Sequence, residues 1–275
     1  MIKLVVALLS VILAILTSIY FFDLEYYWIV LISLGFTIVY VVFFIFLFFF
    51  VVFILVIPVN TKKQAPIYNA FYRGVLRIYT KMVLSLFNIK VKVEGLEKLP
   101  NDSNFVIVGN HRSNVDSMII DVYLKEYPLV YITKKSLFKI PFFGKVIYKA
   151  GYLKLNRDDL KSELMTINRG VEALNTGKIS IGVFPDGTRN YEYDLLPFKS
   201  GCYHLATKSH KPIVVCCLSG TEFVRRNPVF KKHKVVLRII KVINYDEYKD
   251  LRTMEIAEMT KNIIKNNLIE IEGKK

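Results

Sequence analysis

Only four of the chain's 275 residues are histidines, and one of them has a carboxylate at a useful spacing. In Gly109-Asn110-His111-Arg112-Ser113-Asn114-Val115-Asp116, an apolar run at 105–108 feeds a polar turn and then a helical stretch. His111 falls in the turn. Asp116 falls in the first helical turn, where the macrodipole favours a carboxylate. Across five residues Asp116 can hold one ring nitrogen of His111 and leave the other to act as a base. A substrate that brings its own hydroxyl then needs no Ser or Cys nucleophile. The same pair also fits a simple turn-stabilising hydrogen bond.

A second strand runs into Phe184-Pro185-Asp186-Gly187-Thr188-Arg189. Pro185 and Gly187 suit a tight turn, and Arg189 offers a planar fork for phosphate or carboxylate. Taken alone, the segment reads better as an ordinary Pro-Asp-Gly turn with a surface arginine. His204 shares a predicted helix with Cys202, and His233 lies in a basic run, Arg225 to Lys234, expected to face solvent or headgroups. Three cysteines, Cys202, Cys216 and Cys217, fit a reducing compartment and make no C-x-x-C pair.

The elements that must position these residues alternate in type. Strands are predicted at 91–93, 105–108, 129–133, 152–155, 179–184, 213–218 and 235–242, with helices at 117–126, 141–150, 158–175, 198–209 and 253–268. This pattern predicts one α/β domain over 90–275, a central mixed and largely buried sheet flanked by helices.

Composition places the domain in a cell. The chain is 53% hydrophobic and 22% charged with a net charge of +15, which excludes a disordered or collagen-like chain. Residues 1–60 contain only Lys3, Asp23 and Glu25 as charges, so the basic excess belongs to the rest of the chain. Uncharged stretches at 4–22 and 26–61 predict two transmembrane helices at about 4–22 and 29–57. Tyr26, Tyr27 and Trp28 would form an interfacial belt, and Pro58 would close the second span. A signal peptide is the alternative for the first, but its end, Tyr20-Phe21-Phe22-Asp23, is no small-residue cleavage site. Acidic residues between the segments and Lys62, Lys63, Arg73, Arg77 and Lys81 after them predict an integral membrane protein with its domain on the cytoplasmic face. Over 62–89, Asn69, Arg73, Arg77, Lys81 and Ser85 recur every fourth residue, a pattern that fits a core helix with one wet face as well as a membrane-interface helix with a basic stripe, and closeness to the second span favours the interface helix.

Taken together, the two turn segments resemble the glycerophospholipid acyltransferases, specifically the 1-acylglycerol-3-phosphate acyltransferase family. Asn110, His111 and Asp116 match its Asn-His-x-x-x-x-Asp motif, and Phe184 to Arg189 match its Phe-Pro-Glu-Gly-Thr-Arg motif with Asp186 in place of Glu. Lys134 to Gly144, followed by Gly151 and Arg157, resembles the middle motif with Ser136 replacing its usual Glu, and Pro212-Ile213-Val214 resembles the fourth. The resemblance implies that His111, oriented by Asp116, deprotonates a lysophospholipid hydroxyl that then attacks an acyl thioester on coenzyme A or acyl carrier protein. It implies no cofactor, no metal and no acyl-enzyme. Lys134 and Arg189, with Arg157, would hold the acceptor phosphate, and Asp186, Gly187 and Thr188 would belong to the acceptor site. The expected partners are a membrane lipid acceptor, the acyl donor and an anionic membrane surface. Charge alone suggests nucleic acid, but no recognition motif supports it. A silent lipid-binding scaffold of the same fold, or transfer to another lysophospholipid, are the remaining alternatives.

Overall fold

A computed structural model describes residues 2–21, 26–61, 66–156, 159–190, 194–226 and 231–273. Asp23, Glu25, Lys62, Lys63 and Arg157, each given a part in the sequence reading, lie outside the described residues. The chain forms two compact units, Met1–Asn60 and Thr61–Lys275.

The first unit is a helical hairpin of α1 (Ile2–Phe21) and α2 (Tyr26–Val56). Thr17 Oγ1 and Tyr40 Oη lie 2.8 Å apart, and Ser33 Oγ donates to Ser18 Oγ at 3.0 Å, so two polar pairs link the helices. Within α2, the 27 residues Val30–Val56 are long and apolar enough to cross a membrane, while Val5–Tyr20 of α1 is a shorter apolar helix. Two apolar helices near the N-terminus point to membrane association.

The second unit runs α3 (Ala70–Leu86), β1 (Ile89–Glu94), β2 (Val106–Val108), α4 (Asp116–Tyr123), β3 (Leu129–Lys134), α5 (Phe143–Lys149), β4 (Leu153–Leu155), α6 (Leu160–Asn175), β5 (Ser180–Val183), α7 (His204–Ser209), β6 (Ile213–Ser219), α8 (Phe223–Arg226), β7 (His233–Ile243), α9 (Tyr245–Tyr248) and α10 (Thr253–Ile271). The strands form one sheet in the order β1-β7-β6-β2-β5-β3-β4, parallel throughout except where β6 meets β7. This is the mixed, helix-flanked sheet expected from the sequence. The central strands β2, β5 and β6 are buried at every position because both faces are covered, whereas β1, β4 and β7 carry polar residues at their exposed positions. Alternate residues serve opposite cores: Val108, Ile181, Val215 and Cys217 pack with residues of α6, α7 and α10, while Ile107, Tyr131, Val214 and Cys216 pack with residues of α3 and α4.

Helix α3 turns part of its basic stripe inward. It belongs to the compact unit with the sheet, and the stripe of basic residues does not face outward as a whole. Arg73 is 4% exposed and pairs with Asp121 of α4 at 2.5 Å, and Arg77 donates to the Lys125 carbonyl at 3.1 Å. Two arginines at four-residue spacing therefore turn inward beside Leu76, Thr80 and Leu84, leaving Phe71, Ile78, Lys81 and Ser85 on the outer face. His233 likewise is buried at the start of β7, although its neighbours Lys231, Lys232 and Lys234 are exposed.

Candidate active site

The two motif turns come together because the strands that deliver them are neighbours. β2 and β5 pair in parallel with Val108 opposite Val183, so Gly109–Asp116 and Phe184–Arg189 leave the same edge of the sheet side by side. β3 pairs with the other side of β5 and ends in Lys134 at that same edge. The crevice beyond the C-terminal ends of adjacent parallel strands is where α/β folds gather their chemistry.

Small residues allow the approach. A Cβ on Gly109 would lie 2.9 Å from Cys216 Sγ, and one on Gly182 would lie 2.3 Å from the Tyr131 ring. Tyr131, Phe184 and His111 then stack in sequence, with ring centroids 6.0 Å and 4.4 Å apart. Asn110 fixes the first turn by imitating a strand backbone: its amide donates to the Leu218 carbonyl and accepts from the Leu218 N–H, each at 2.9 Å.

His111 Nδ1 lies 2.8 Å from Asp116 Oδ2. That oxygen also accepts the backbone N–H groups of Arg112 at 2.7 Å and Ser113 at 2.6 Å. Asp116 is fully buried at the start of α4, while the His111 side chain remains 22% exposed. A carboxylate can only accept, so in the neutral ring Nδ1 carries the proton and Nε2 keeps its lone pair.

In front of His111 lies a cavity of about 280 Å³ that also touches Lys134, Ser136, Gly187, Thr188 and Arg189. Five of the predicted site residues thus line one space. Arg189 Nη1 donates to Asn114 Oδ1 at 2.8 Å, which holds its fork at the rim. Among the described residues neither Lys134 nor Arg189 has a carboxylate partner, so both charges remain for an anion. Gly187 adopts φ +66°, and a Cβ there would press on the Lys199 side chain at 3.0 Å. Lys199, a cation beside Gly187 that does not itself line the cavity, lies ten residues beyond Arg189 in sequence, outside the motif.

Asp186 departs from its expected role. It is 4% exposed and does not line the cavity; its Oδ2 accepts the His111 N–H at 2.6 Å. Burial pushes its carboxyl up to about 6, against the pull of that hydrogen bond and of His111. Asp186 therefore supports the His111 turn from behind. His204 and Cys202 do not line the cavity, and burial pushes the Cys217 thiol up to about 12, which leaves it inert at neutral pH.

A second cavity, about 610 Å³ and mainly apolar, adjoins the first and shares Asn114, Ser117, Thr133 and Leu137 with it. Leu76, Val83, Met118 and Ile147 contribute to its walls.

A histidine held by a buried aspartate thus faces a cavity lined by two cationic side chains, beside a second, mainly apolar cavity. The Acyltransferase family profile matches residues 90–219. The 1-acyl-sn-glycerol-3-phosphate acyltransferase of Borreliella burgdorferi is 33% identical over 179 residues, covering 63% of this chain and 71% of the relative. That of Salmonella typhimurium is 29% identical over 187 residues, covering 68% and 76%. The crystal structure of the 1-acyl-sn-glycerophosphate (LPA) acyltransferase from Thermotoga maritima superposes with a TM-score of 0.60 at 25% identity, covering 74% of this chain and 82% of that one. The chain belongs to this acyltransferase family and is an acyltransferase.

Proposed function

We propose that the protein transfers a fatty acyl group from an acyl thioester to the free hydroxyl of 1-acylglycerol-3-phosphate, forming phosphatidic acid at a membrane. The observation that carries this reading is the 2.8 Å contact of His111 with Asp116 behind a cavity lined by two cations, Lys134 and Arg189, that have no carboxylate partner among the described residues.

In this scheme the acceptor phosphate sits between Lys134 and Arg189, with Gly187 and Thr188 along its edge. Charge-assisted and bidentate hydrogen bonds make that grip strong and directional. Fixing the phosphate places the hydroxyl at His111, which converts an encounter between two lipids into a reaction within one complex. His111 Nε2 takes the hydroxyl proton as the oxygen attacks the thioester carbonyl. The imidazolium is stabilised by Asp116 and returns the proton to the departing thiolate, so the products are the ester and the free thiol. No cofactor enters, and the donor is acyl-coenzyme A or acyl carrier protein. The adjoining apolar cavity takes an acyl chain. Arg157 is assigned to the acceptor phosphate from the resemblance alone.

The hairpin of α1 and α2 anchors the chain, with α2 as the spanning helix and the domain on the cytoplasmic face. The basic excess after residue 60 adds attraction to anionic headgroups, about 1 kcal/mol for each Lys or Arg near the surface.

Acyl transfer by the detergent-solubilised protein tests the reading. 1-Acylglycerol-3-phosphate and lysophospholipids with larger headgroups are offered with each donor, and His111→Ala serves as the control. Phosphatidic acid formed by the unmutated protein alone is the expected result. Product only from larger-headgroup acceptors moves the protein to lipid remodelling, and no product from any pair removes the proposal.

A further inference from the structure

The catalytic turn carries a cation that points away from the substrate cavity. Arg112 follows His111 directly, yet its side chain is 3% exposed. Its Nη1 donates to Glu222 Oε1, in the loop after β6, at 3.2 Å and to Glu272 Oε1, at the end of α10, at 2.5 Å. Glu272 Oε1 also accepts from Ser219 Oγ, the last residue of β6, at 2.9 Å. Three segments far apart in sequence thus meet on one guanidinium.

The backbone of the same residue belongs to the catalytic apparatus. The Arg112 N–H donates to Asp116 Oδ2, the oxygen that holds His111 Nδ1. Any shift of Arg112 therefore disturbs both the ring's partner and the peptide next to the ring. A buried guanidinium cannot escape its charge by losing a proton, so removing one of the two carboxylates leaves a buried cation with less compensation and a looser position.

We propose that Arg112, Glu222 and Glu272 form an ionic clasp that holds the His111 turn in its reactive geometry, making Glu272 a positioning residue for proton transfer. The inference rests on the reading of His111 as the base. The rest of α10 does not depend on the clasp: Ile256, Ile264 and Leu268 are in the core, and Tyr203 Oη bonds Thr260 Oγ1. Loss of the Glu272 carboxylate thus loosens Arg112 while the helix stays seated.

Glu272→Ala in the full chain tests this, with Glu272→Gln, His111→Ala and the core variant Ile264→Val alongside. All are assayed below their melting temperatures with both substrates varied. A misplacement of about 1 Å at a reacting group costs on the order of a hundredfold, so Glu272→Ala should lose about ten- to a hundredfold in kcat with little change in either KM. Glu272→Gln, which keeps an acceptor oxygen, should recover part of the loss. Ile264→Val should lower the melting temperature and keep kcat. If Glu272→Ala keeps kcat while His111→Ala is inactive, the clasp is wrong and the base assignment stands. Full activity in His111→Ala overturns the base assignment itself. A kcat loss in Ile264→Val equal to that in Glu272→Ala reduces the effect to stability and overturns the clasp.

Discussion

In the proposed reaction His111 and Asp116 share the proton chemistry: the ring moves the proton, and the carboxylate decides which nitrogen carries it. Replacing His111 by Ala should lower kcat by about 10²–10⁴ with folding intact, the range that general acid–base catalysis supplies. Asp116→Asn should lose a comparable factor, because an amide in that place can donate to Nδ1 and favour the wrong tautomer. Arg189→Ala should act differently, raising KM for a phosphate-bearing acceptor by about tenfold or more, since a hydrogen bond to a charged group contributes about 1.5–3 kcal/mol. Lys at that position should restore only part of the affinity, lacking the planar fork. Asp186 gives a pH-dependent test. Its carboxyl is raised from 3.8 to about 6 in the folded protein, so the folded state binds the proton more tightly and this group's contribution to stability falls as pH rises from 4 to 6. Asp186→Asn retains an acceptor for the His111 N–H without the buried charge, and should be more stable above pH 6 by on the order of 2–3 kcal/mol. Thermal unfolding across pH 4–8 checks this: the advantage must shrink toward pH 4, and a constant offset would remove burial as its cause.

At the scale of elements, the site is a property of strand order. β2, β5 and β3 lie side by side and parallel, so residues separated by more than seventy positions, His111 and Arg189, open onto one cavity. Asn110 extends this arrangement by one rung made from a side chain. Asn110→Ala leaves the Leu218 N–H and carbonyl unpaired in a buried place, and should cost about 2–4 kcal/mol in chemical denaturation. All seven strands are legible in the sequence because buried strands read as short β-branched runs between turns, and the motifs mark the turns that matter. Contacts over long separations are not. A four-residue repeat of Arg73 and Arg77 looks the same on a headgroup-facing helix as on one whose arginines seek a buried partner, and Asp121 announces nothing from 48 residues away. Asp186 stands inside a substrate-binding motif, and only the fold reveals that it faces the backbone of His111. The short helices α8 and α9 carry no period long enough to register.

The whole molecule pairs a domain with a compact core of its own with an apolar hairpin. Residues 61–275 should fold without residues 1–60, because their contacts cluster within that unit. The two parts should also bind membranes by different physics. The isolated unit, with 37 basic and 21 acidic residues, should sediment with anionic vesicles at low salt and be released as salt rises and screening shortens to a few ångströms. The full chain should stay with the vesicles in high salt, held by burial of α1 and α2. Release of both by salt would mean that the hairpin does not enter the bilayer.

The division of the chain into two units has an optical consequence. Its one tryptophan, Trp28, stands at the start of α2, whereas the unit that carries the site has tyrosines but no indole. Selective excitation of indole therefore sees the hairpin alone, and quenching by lipids brominated at known depths would locate Trp28 in the bilayer without any label. A second indole placed at Phe184, in the ring stack between Tyr131 and His111, would add a separate emission from the crevice. Insertion and substrate binding could then be timed in the same sample.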